Sequence, residues 1–387
     1  MENSFLKAVT ERFNSHFGQE PELLVRGPGR INLIGEHTDY NGGFVLPASI
    51  DKEIIFAIAR RDDDTCEIYA ENLNDTFSFT TDRLEKSDKG WPNYLMGVVD
   101  EIQKLGKQPG GFRLVFGGNI PGGAGLSSSA ALECGLAYCL NELYALGLST
   151  LDMVKLCQRA ENLFVGVACG IMDQFASMFG RENSVIQLDC RSLEYQYFPL
   201  ALAEYQIVLC DTGVKHSLGS SEYNTRRQEC EEGVRILQKH HPEVRLLRDA
   251  TPDMVEQHRD EMPEKIYDRC RYVTEETIRV QVACERLLAG DVAAFGQKMF
   301  ETHDGLQHLY EVSCEELDFL VDQARPDVHV LGSRMMGGGF GGCTINLVRT
   351  DAVADFISRM QAAYQQKFGI ELKCYQVRIT DGTSKIG

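Results

Sequence analysis

A short segment near the amino terminus, Gly29–Asn41, constrains the fold of this chain more than any other part of the sequence. Within ten positions it carries one cation, one imidazole and two carboxylates, namely Arg30, His37, Glu36 and Asp39. Each buried charge needs a partner, so an ordinary core segment does not contain so many ionisable groups. The segment is instead typical of the wall of a pocket that binds a ligand rich in hydroxyl groups.

The bulk properties predict a globular protein with two domains. The chain has 387 residues, 43% of them hydrophobic and 25% charged, and a chain of this length exceeds one ordinary core. The net charge of −18 argues against a broad surface for nucleic acid or for an anionic membrane, so we expect neither partner. A nucleotide substrate would then need a local cationic site or a metal ion.

The cysteines and the apolar runs indicate where the protein works. Thirteen Cys are scattered without a Cys-x-x-Cys pair, which predicts neither a zinc site nor a redox motif. Their odd number fits free thiols in a reducing compartment. The first residues mix charged with apolar side chains, unlike a signal peptide, and no apolar run approaches the length of a membrane helix. We therefore expect a cytoplasmic protein, and we expect it to be a monomer.

The order of elements predicts an α+β fold: two domains with mixed sheets and packed helices, and an active site in the cleft between them. Helices are predicted over residues 4–17, 92–104, 128–144, 149–164, 220–240, 267–324 and 352–368. Strands are predicted over residues 53–60, 66–70, 111–116, 206–211, 343–348 and 371–379. We expect one domain over residues 1–205 and a second α+β domain over 206–387, with the segment 371–387 packing back on the first.

A Gly-rich segment, Asn119–Leu132, has the pattern of a turn, a run of Ser and the start of a helix. Glycines let backbone N–H groups approach an anion closely, and the positive end of the helix points to the same place. The hydroxyls of Ser127–Ser129 can donate to phosphate or ligate Mg²⁺. The segment is neither a Walker A loop nor Gly-x-Gly-x-x-Gly. Taken alone, it is also compatible with a Ser-capped helix after a tight turn.

Five segments, in this order, closely resemble the galactokinases, within the superfamily of galactokinase, homoserine kinase, mevalonate kinase and phosphomevalonate kinase. They are Gly29–Asn41, Pro121–Ala131, Cys169–Phe175, Ser220–Tyr223 and Gly337–Cys343. The chain departs from the family pattern at Leu306–Leu309 and at Glu315, where Pro is usual, and both places lie outside these segments. The resemblance implies ATP-dependent phosphorylation of the C1 hydroxyl of α-D-galactose, which gives α-D-galactose 1-phosphate and ADP.

The resemblance also implies a role for each candidate residue. Asp173 would be the base that takes the proton of the C1 hydroxyl, and Arg30 would lie between this carboxylate and the γ-phosphate. The sugar-binding residues would be Glu36, His37, Asp39, Gly170 and Tyr223. The ATP-binding residues would be Trp91, Gly122, Gly123, Ala124, Gly125, Leu126, Ser127 and Ser128. The protein ligands of Mg²⁺ would be Ser129 and Glu161. All of these candidate residues lie in the first predicted domain except Tyr223.

Several of these residues have simpler explanations when each is taken alone. Asp173 could cap a helix, Arg30 could form a surface ion pair with Glu36 or Asp39, and Trp91 could belong to the core. Glu161 borders the apolar face of its predicted helix, a position that a solvated Glu also occupies.

Other functions remain open at this stage. One is a kinase for a related sugar, such as N-acetylgalactosamine or L-arabinose, and another is a sensor that binds galactose and ATP without catalysis. The uninterrupted segment Gly125–Ala131 and the presence of Asp173 favour an enzyme. A dinucleotide oxidoreductase is disfavoured because neither Gly-rich loop fits the fingerprint of that class.

Overall fold

A computed structural model describes residues 4–200, 202, 204–215 and 219–386 of the protein. The helices are α1 (Ser4–Phe17), α2 (Pro92–Lys104), α3 (Ser128–Tyr144), α4 (Thr150–Arg159), α5 (Met172–Phe179), α6 (Gly219–Leu237), α7 (Pro252–Gln257), α8 (Glu264–Leu288), α9 (Val292–His308), α10 (Glu315–Ala324) and α11 (Val353–Phe368). The strands are β1 (Leu23–Asn32), β2 (Phe44–Val45), β3 (Pro47–Arg60), β4 (Thr65–Ala70), β5 (Asp75–Thr80), β6 (Phe112–Gly118), β7 (Ser184–Asp189), β8 (Tyr195–Pro199), β9 (Tyr205–Lys215), β10 (Val330–Met335), β11 (Gly341–Arg349), β12 (Lys373–Val377) and β13 (Ser384–Lys385). In the predicted segment Ser220–Tyr223, the side chains of Ser220 and Ser221 lie outside the described part of the chain.

The described strands form three sheets, one of which contains both parallel and antiparallel pairs. A six-stranded sheet has the order β13-β1-β3-β6-β4-β5, and within it β4 and β6 run parallel. A four-stranded sheet has the order β10-β11-β9-β12, and a smaller sheet has the order β2-β7-β8. Helices pack on these sheets, so the predicted α+β fold with mixed sheets is confirmed.

The largest apolar core lies between the six-stranded sheet and helices α2–α5. Helix α3 packs very closely on β3, because a Cβ atom built on Gly135 would come within 2.2 Å of the Phe56 ring. Only glycine permits this approach. The packing fixes the amino-terminal end of α3, at Ser128, next to the loop that follows β6.

A second apolar core crosses the predicted domain boundary. It joins Ile31 and Ala124 to Phe295 and Ile345, which come from the two sides of residue 205. The division near residue 205 therefore stays a proposal. The carboxyl-terminal segment is divided between the two halves: β12 pairs with β9, whereas β13 pairs with β1 through the partners Val25 and Lys385.

The structure differs from the sequence prediction at two places near the site. The helix predicted over residues 149–164 ends at Arg159, and Ala160–Val165 forms a π-helical turn that ends at Gly166, whose φ is 101°. Such turns are frequent at functional sites. Strand β1 is absent from the sequence prediction because Gly27, Pro28 and Gly29 interrupt the strand pattern, and its pairing with β3 shifts register between Pro28 and Arg30.

The long helical stretch predicted over residues 267–324 is broken into α8, α9 and α10. Helix α8 stops where Gly290 adopts a φ of 72°, a left-handed conformation that commonly ends helices. Among the described residues, none of the helices combines the length and apolar character needed to span a membrane.

Candidate active site

Arg30, which is buried, and Asp173, which is partly exposed, form an ion pair at the centre of the site. The Arg30 guanidinium donates from Nε to Asp173 Oδ1 at 2.8 Å and from Nη2 to Oδ2 at 3.0 Å. Its Nη1 donates to the carbonyl oxygen of Gly125 at 2.5 Å, and the Ser127 hydroxyl donates to Asp173 Oδ2. Burial lowers the pKa of Arg30, but the charges of Asp173 and Glu36 outweigh it, so the pKa is raised and the guanidinium stays charged.

Strand β1, helix α5 and the Gly-rich loop bring these groups together. The backbone N–H of Arg30 donates to the carbonyl of Leu126 at 3.1 Å, which fixes the loop against β1. Asp173 lies in the first turn of α5, where the positive end of the helix favours a carboxylate. Ser127 has a φ of 55°, a strained conformation for a residue other than glycine. The loop is therefore held in one conformation by contacts with Arg30 and Asp173.

A pocket of about 250 Å³ opens beside this ion pair, and we call it the inner pocket. Its walls include every predicted catalytic and sugar-binding residue, together with Glu161 and the backbone of the second Gly-rich loop: Arg30, Glu36, His37, Asp39, Gly170, Asp173, Tyr223, Glu161 and Gly337–Gly339. Tyr223 comes from α6 and its ring centroid lies 5.3 Å from that of His37. Residues distant in sequence thus form one concave site that contains several charged side chains.

Glu36 is held by an arginine from the other half of the chain. Arg334, on β10, is fully buried and donates from Nη1 to Glu36 Oε1 at 3.0 Å. The same guanidinium donates to the carbonyl oxygens of Leu33, Asn32 and Met335. The backbone N–H of Gly337 donates to Glu36 Oε1 at 2.9 Å. The orientation of Glu36 therefore depends on the packing of β10, and of the loop that follows it, against the end of β1.

His37 is a neutral imidazole in a chain of hydrogen bonds. Burial lowers the pKa of His37 to about 4. Its Nε2 lies 3.3 Å from the carbonyl oxygen of Gly338, and its Nδ1 lies 2.8 Å from the Tyr40 hydroxyl. Because a carbonyl can only accept, the proton of the neutral ring sits on Nε2, and Tyr40 donates to Nδ1. Tyr310, whose hydroxyl is 2.8 Å from that of Tyr40, then donates to Tyr40.

Asp39 is a carboxyl group whose charge depends on conditions near neutrality. Burial, and then the nearby charge of Asp173, raise the pKa of Asp39 to about 7. Its Oδ1 accepts from the Tyr40 backbone N–H at 2.9 Å. A Cβ atom on Gly170 would lie 1.9 Å from Asp39 Oδ2, so glycine at this position leaves the room that the Asp39 carboxylate occupies.

A second pocket, of about 610 Å³, lies on the other side of the Gly-rich loop, and we call it the loop pocket. Trp91, Gly122, Ser128 and Ser129 line it. The indole N–H of Trp91 donates to Asp75 Oδ2 at 3.1 Å. The two pockets lie on either side of the loop that carries Ser127, as expected for two substrates that meet at the Arg30–Asp173 pair.

The other predicted ATP-binding residues do not line the loop pocket. Ala124 and Leu126 are buried in the second apolar core, because successive residues of the loop point to opposite sides. The Gly125 carbonyl and the Ser127 hydroxyl contact the Arg30–Asp173 pair instead. Gly123 is exposed. Their assignment to ATP stays a prediction.

Oxygen atoms without donors are concentrated behind the inner pocket. Burial and the charge of Asp173 raise the pKa of Glu161 to about 7, while the Ser129 hydroxyl beside it acts in the opposite direction. Gln174 Nε2 donates to Glu161 Oε2 at 2.8 Å. Within the described residues, both carboxyl oxygens of the fully buried Glu133 and the Oε1 of Gln174 have no hydrogen-bond partner. A region so rich in acceptors suits a hard cation.

Two of these residues, Arg334 and Glu133, are absent from the sequence predictions. Arg334 precedes the second Gly-rich loop, but nothing local indicates that it reaches Glu36, 298 positions away. Glu133 lies four residues after Ser129 on α3. This i, i+4 spacing on one helix face is the signal by which it could have been found.

Comparison with known proteins first defines the class. The family described as "GHMP kinases N terminal domain" matches residues 93–181, and "GHMP kinases C terminal" matches residues 282–366. The family described as "Galactokinase galactose-binding signature" matches residues 11–60. The fold, the Gly-rich loop and these matches define a kinase of the GHMP class.

Similarity over the whole chain narrows the class. A galactokinase from Roseiflexus sp. is 42% identical over 378 residues, which cover 98% of this chain and 96% of the relative. A galactokinase from Thermotoga maritima is 41% identical over 364 residues, 94% of this chain and 100% of the relative. The crystal structure of Lactococcus lactis galactokinase complexed with galactose superposes with a TM-score of 0.95 at 37% identity, covering 98% of this chain and 100% of that one. The chain belongs to the galactokinase family.

More distant structures share the fold alone. The Methanococcus jannaschii mevalonate kinase superposes with a TM-score of 0.64 at 16% identity and covers 93% of this chain. The common fold of these kinases is thus compatible with acceptors of different chemistry, and the acceptor must be argued from the site.

Proposed function

We propose that this chain transfers the γ-phosphoryl group of ATP to the C1 hydroxyl of α-D-galactose, giving α-D-galactose 1-phosphate and ADP, as the first step of galactose metabolism. One observation supports the proposal above all. The bidentate Arg30–Asp173 pair lies at the inner pocket and is bonded to the loop that separates this pocket from the loop pocket. A sugar hydroxyl in the first pocket and a phosphate from the second would meet at that pair.

Asp173 acts in this account as the base for the C1 hydroxyl. Each oxygen of a carboxylate can accept more than one hydrogen bond, so Asp173 can accept the sugar proton while Arg30 remains bound. The anomeric hydroxyl is more acidic than an ordinary alcohol, and a carboxylate is a sufficient base for it. The charge of Arg30 stabilises the charge on the phosphoryl oxygens during transfer.

Glu36, His37, Asp39 and Tyr223 are the proposed readers of the outer sugar hydroxyls. The two carboxylates accept hydrogens from hydroxyl groups, and their positions are fixed by Arg334 and by the backbone. Neutral His37 presents a fixed tautomer, with its donor side facing Gly338. Fixed acceptors discriminate between sugars that differ in the orientation of one hydroxyl.

The charge state of Asp39 predicts a pH dependence of sugar binding. Only the ionised carboxylate is a pure acceptor, and a pKa of about 7 means that raising the pH from about 6 to about 8 converts most of the acid to carboxylate. We expect the dissociation constant for galactose, measured by calorimetry without ATP, to fall up to about tenfold over this range. His37, with a pKa of about 4, stays neutral throughout.

An Asp39→Asn variant is the control for this pH dependence. It should bind galactose more weakly and with an affinity that no longer changes between the two pH values. A wild-type affinity that is flat with pH, or an unchanged slope in the variant, would contradict the role given to Asp39.

We propose that Ser129 and Glu161 hold Mg²⁺ together with the phosphates of ATP. Both residues supply the oxygen ligands that Mg²⁺ prefers. The buried oxygens of Glu133 and Gln174 nearby have no hydrogen-bond donor within the described part of the chain, so they add to the acceptors around the proposed ion. No Lys or Arg side chain is among the described residues that line the loop pocket. When bound, the ion would neutralise the charge of the phosphates. Ser129 would contact the ion from the amino-terminal end of α3, and Glu161 would contact it from the π-helical turn.

Replacing Glu161 with Gln should weaken the binding of this ion. We expect the Mg²⁺ concentration for half-maximal activity to rise about tenfold or more, because a charged ligand is lost. Galactose affinity without nucleotide should stay within about twofold of the wild type. Glu142→Gln, an exposed change on α3, is the matched control, and an unchanged Mg²⁺ dependence in Glu161→Gln would refute this ligand assignment.

The state of the cysteines bears on where the enzyme works. The cysteines of the chain are free thiols, which fits a reducing compartment, so we propose a cytoplasmic location. We also propose that the protein is a monomer with galactose and ATP as its small-molecule partners.

The experiment that tests the function measures ADP release with a panel of sugars. Galactose should support turnover, whereas glucose, which differs at one hydroxyl, should be at least about a hundredfold poorer in kcat/KM. Faster turnover with N-acetylgalactosamine or L-arabinose would identify a related sugar kinase instead. Tight binding of galactose with no ADP release would identify a sensor and overturn the enzymatic proposal.

A further inference from the structure

A cluster of three imidazoles and one carboxylate lies on the surface where α6 ends. His240 and His241 follow α6, His258 ends α7, and Glu261 closes the short 3₁₀ turn after it. We call these four residues the histidine cluster. None of them lines the inner pocket or the loop pocket, so the reaction described above does not use them.

The ligand atoms of the histidine cluster converge on the Glu261 carboxylate. His240 Nε2 lies 2.9 Å from Glu261 Oε2, and His258 Nδ1 lies 3.0 Å from Glu261 Oε1. The rings of His240 and His258 stack with centroids 4.1 Å apart. One ligand atom from each of these three residues lies within 4.8 Å of the others.

These separations are close to those of a tetrahedral metal site. With bonds of about 2.0–2.1 Å to nitrogen and oxygen, the ligand atoms around a tetrahedral ion lie about 3.3 Å apart. The two nitrogen–oxygen distances, which run to different oxygens of the Glu261 carboxylate, would widen by only a few tenths of an ångström. The ligand atoms, which lie within 4.8 Å of one another, would have to move closer together around one ion. Two of the three side chains are exposed, so rotamer adjustments of this size are available.

His241 supplies an independent observation that favours a metal on His258. Its Nε2 lies 3.2 Å from His258 Nε2, and its Nδ1 lies 3.6 Å from Glu243 Oε1. If neutral His258 donates from Nδ1 to Glu261, His241 must donate from Nε2, and its Nδ1 lone pair then faces a carboxylate. If His258 Nδ1 instead binds a metal, Nε2 donates to His241, whose Nδ1–H then faces Glu243. Both nitrogens of His241 and both nitrogens of His258 are then matched with a suitable group, as in other histidine metal sites.

We propose that His240, His258 and Glu261 bind a divalent cation of the zinc class, such as Zn²⁺, Ni²⁺ or Co²⁺, with His241 as the positioning residue for His258. Imidazole ligands favour these ions over Mg²⁺, which prefers oxygen, so this site differs in chemistry from the one beside Glu161. The ion would tie the end of α6 to the turn after α7, and thus stabilise the folded state.

Calorimetric titration of untagged, chelator-treated protein with Zn²⁺, Co²⁺ and Mg²⁺ tests the proposal. We expect one Zn²⁺ or Co²⁺ to bind, with a rise in melting temperature, and no heat from Mg²⁺ without nucleotide. His240→Gln with His258→Gln should abolish this binding, and His241→Gln should weaken it about tenfold or more. His308→Gln, an exposed histidine at the end of α9, is the matched control and should bind as the wild type does.

The Co²⁺ absorption spectrum separates this site from the cysteines. We expect the bands of tetrahedral nitrogen and oxygen ligation without a thiolate charge-transfer band. A thiolate band, or wild-type Zn²⁺ affinity in the doubly substituted variant, would overturn the proposal. Galactose phosphorylation should be unchanged in the double variant, which shows that it has folded, and the outcome for the metal does not depend on the proposed reaction.

Discussion

Replacing Asp173 with Asn is expected to lower the turnover number about 10³-fold, because a general base contributes about 10²–10⁴-fold to such reactions. Asn keeps the size of the side chain and can still accept from Arg30, but it cannot take the proton of the C1 hydroxyl. Galactose binding, measured by calorimetry, should change far less than turnover, because we propose that the outer hydroxyls are bound by other residues. ADP release under saturating substrates is the measurement.

Two controls make the Asp173 result specific. Asp322→Asn, an exposed change on α10, should leave turnover unchanged. The thermal midpoint of Asp173→Asn should be recorded, because Arg30 is buried and loses its charged partner. A variant that stays folded, binds galactose and turns over near the wild-type rate would show that Asp173 is not the base.

Replacing Arg334 with Met is expected to lower the free energy of unfolding by about 3–5 kcal/mol, the usual cost of removing one partner of a buried ion pair. Glu36 would remain buried without its cationic partner, and three carbonyl oxygens would lose their donor. Galactose affinity should also fall, because Glu36 would no longer be held in the inner pocket. Denaturant unfolding and calorimetry measure the two effects.

Comparison with Arg334→Lys separates charge from geometry. Lys keeps the charge but cannot reproduce the several directed bonds of a guanidinium, so it should recover part of the stability and little of the affinity. Arg349→Met removes an exposed pair with Asp351 and should cost less than about 1 kcal/mol. An Arg334→Met protein as stable as the wild type, with unchanged galactose affinity, would contradict the role given to this residue.

The sequence predicted the local parts of the site and missed those that depend on distant contacts. Helices α1, α2 and α3 have the predicted bounds because their apolar periodicity and Gly-rich boundaries are local signals. Arg30 and Asp173 were named through the resemblance, and the structure shows them bonded to each other. Arg334 could not be found in this way, because its importance arises only when β10 meets β1.

Strand β1 shows a second limit of sequence reasoning. Its Gly27-Pro28-Gly29 interruption is unfavourable for a strand, yet the glycines let other backbone segments come close. A Cβ atom on Gly29 would lie 2.7 Å from the carbonyl oxygen of Leu126, and one on Gly27 would lie 2.5 Å from that of Ala131. The residues that hide the strand from prediction are thus those that let the Gly-rich loop and α3 pack against it, beside Arg30.

The net charge of the chain does not favour the binding of an anionic nucleotide. The chain carries a net charge of −18, although its nucleotide substrate is an anion. In the proposed mode of binding, attraction is local and comes from Arg30, from backbone N–H groups at the start of α3 and from a divalent cation. The need for local attraction of this kind explains why the site is rich in glycine and hydroxyl groups and poor in lysine.

The central claim is that the C1 hydroxyl of galactose is brought to the Arg30–Asp173 pair for phosphoryl transfer. Phosphorus and proton NMR of the product made from galactose and ATP test this claim most directly. We predict a single product, α-D-galactose 1-phosphate, with its phosphorus coupled to the anomeric proton and no free reducing end. A phosphate on another hydroxyl, or a product of β configuration, would contradict the account.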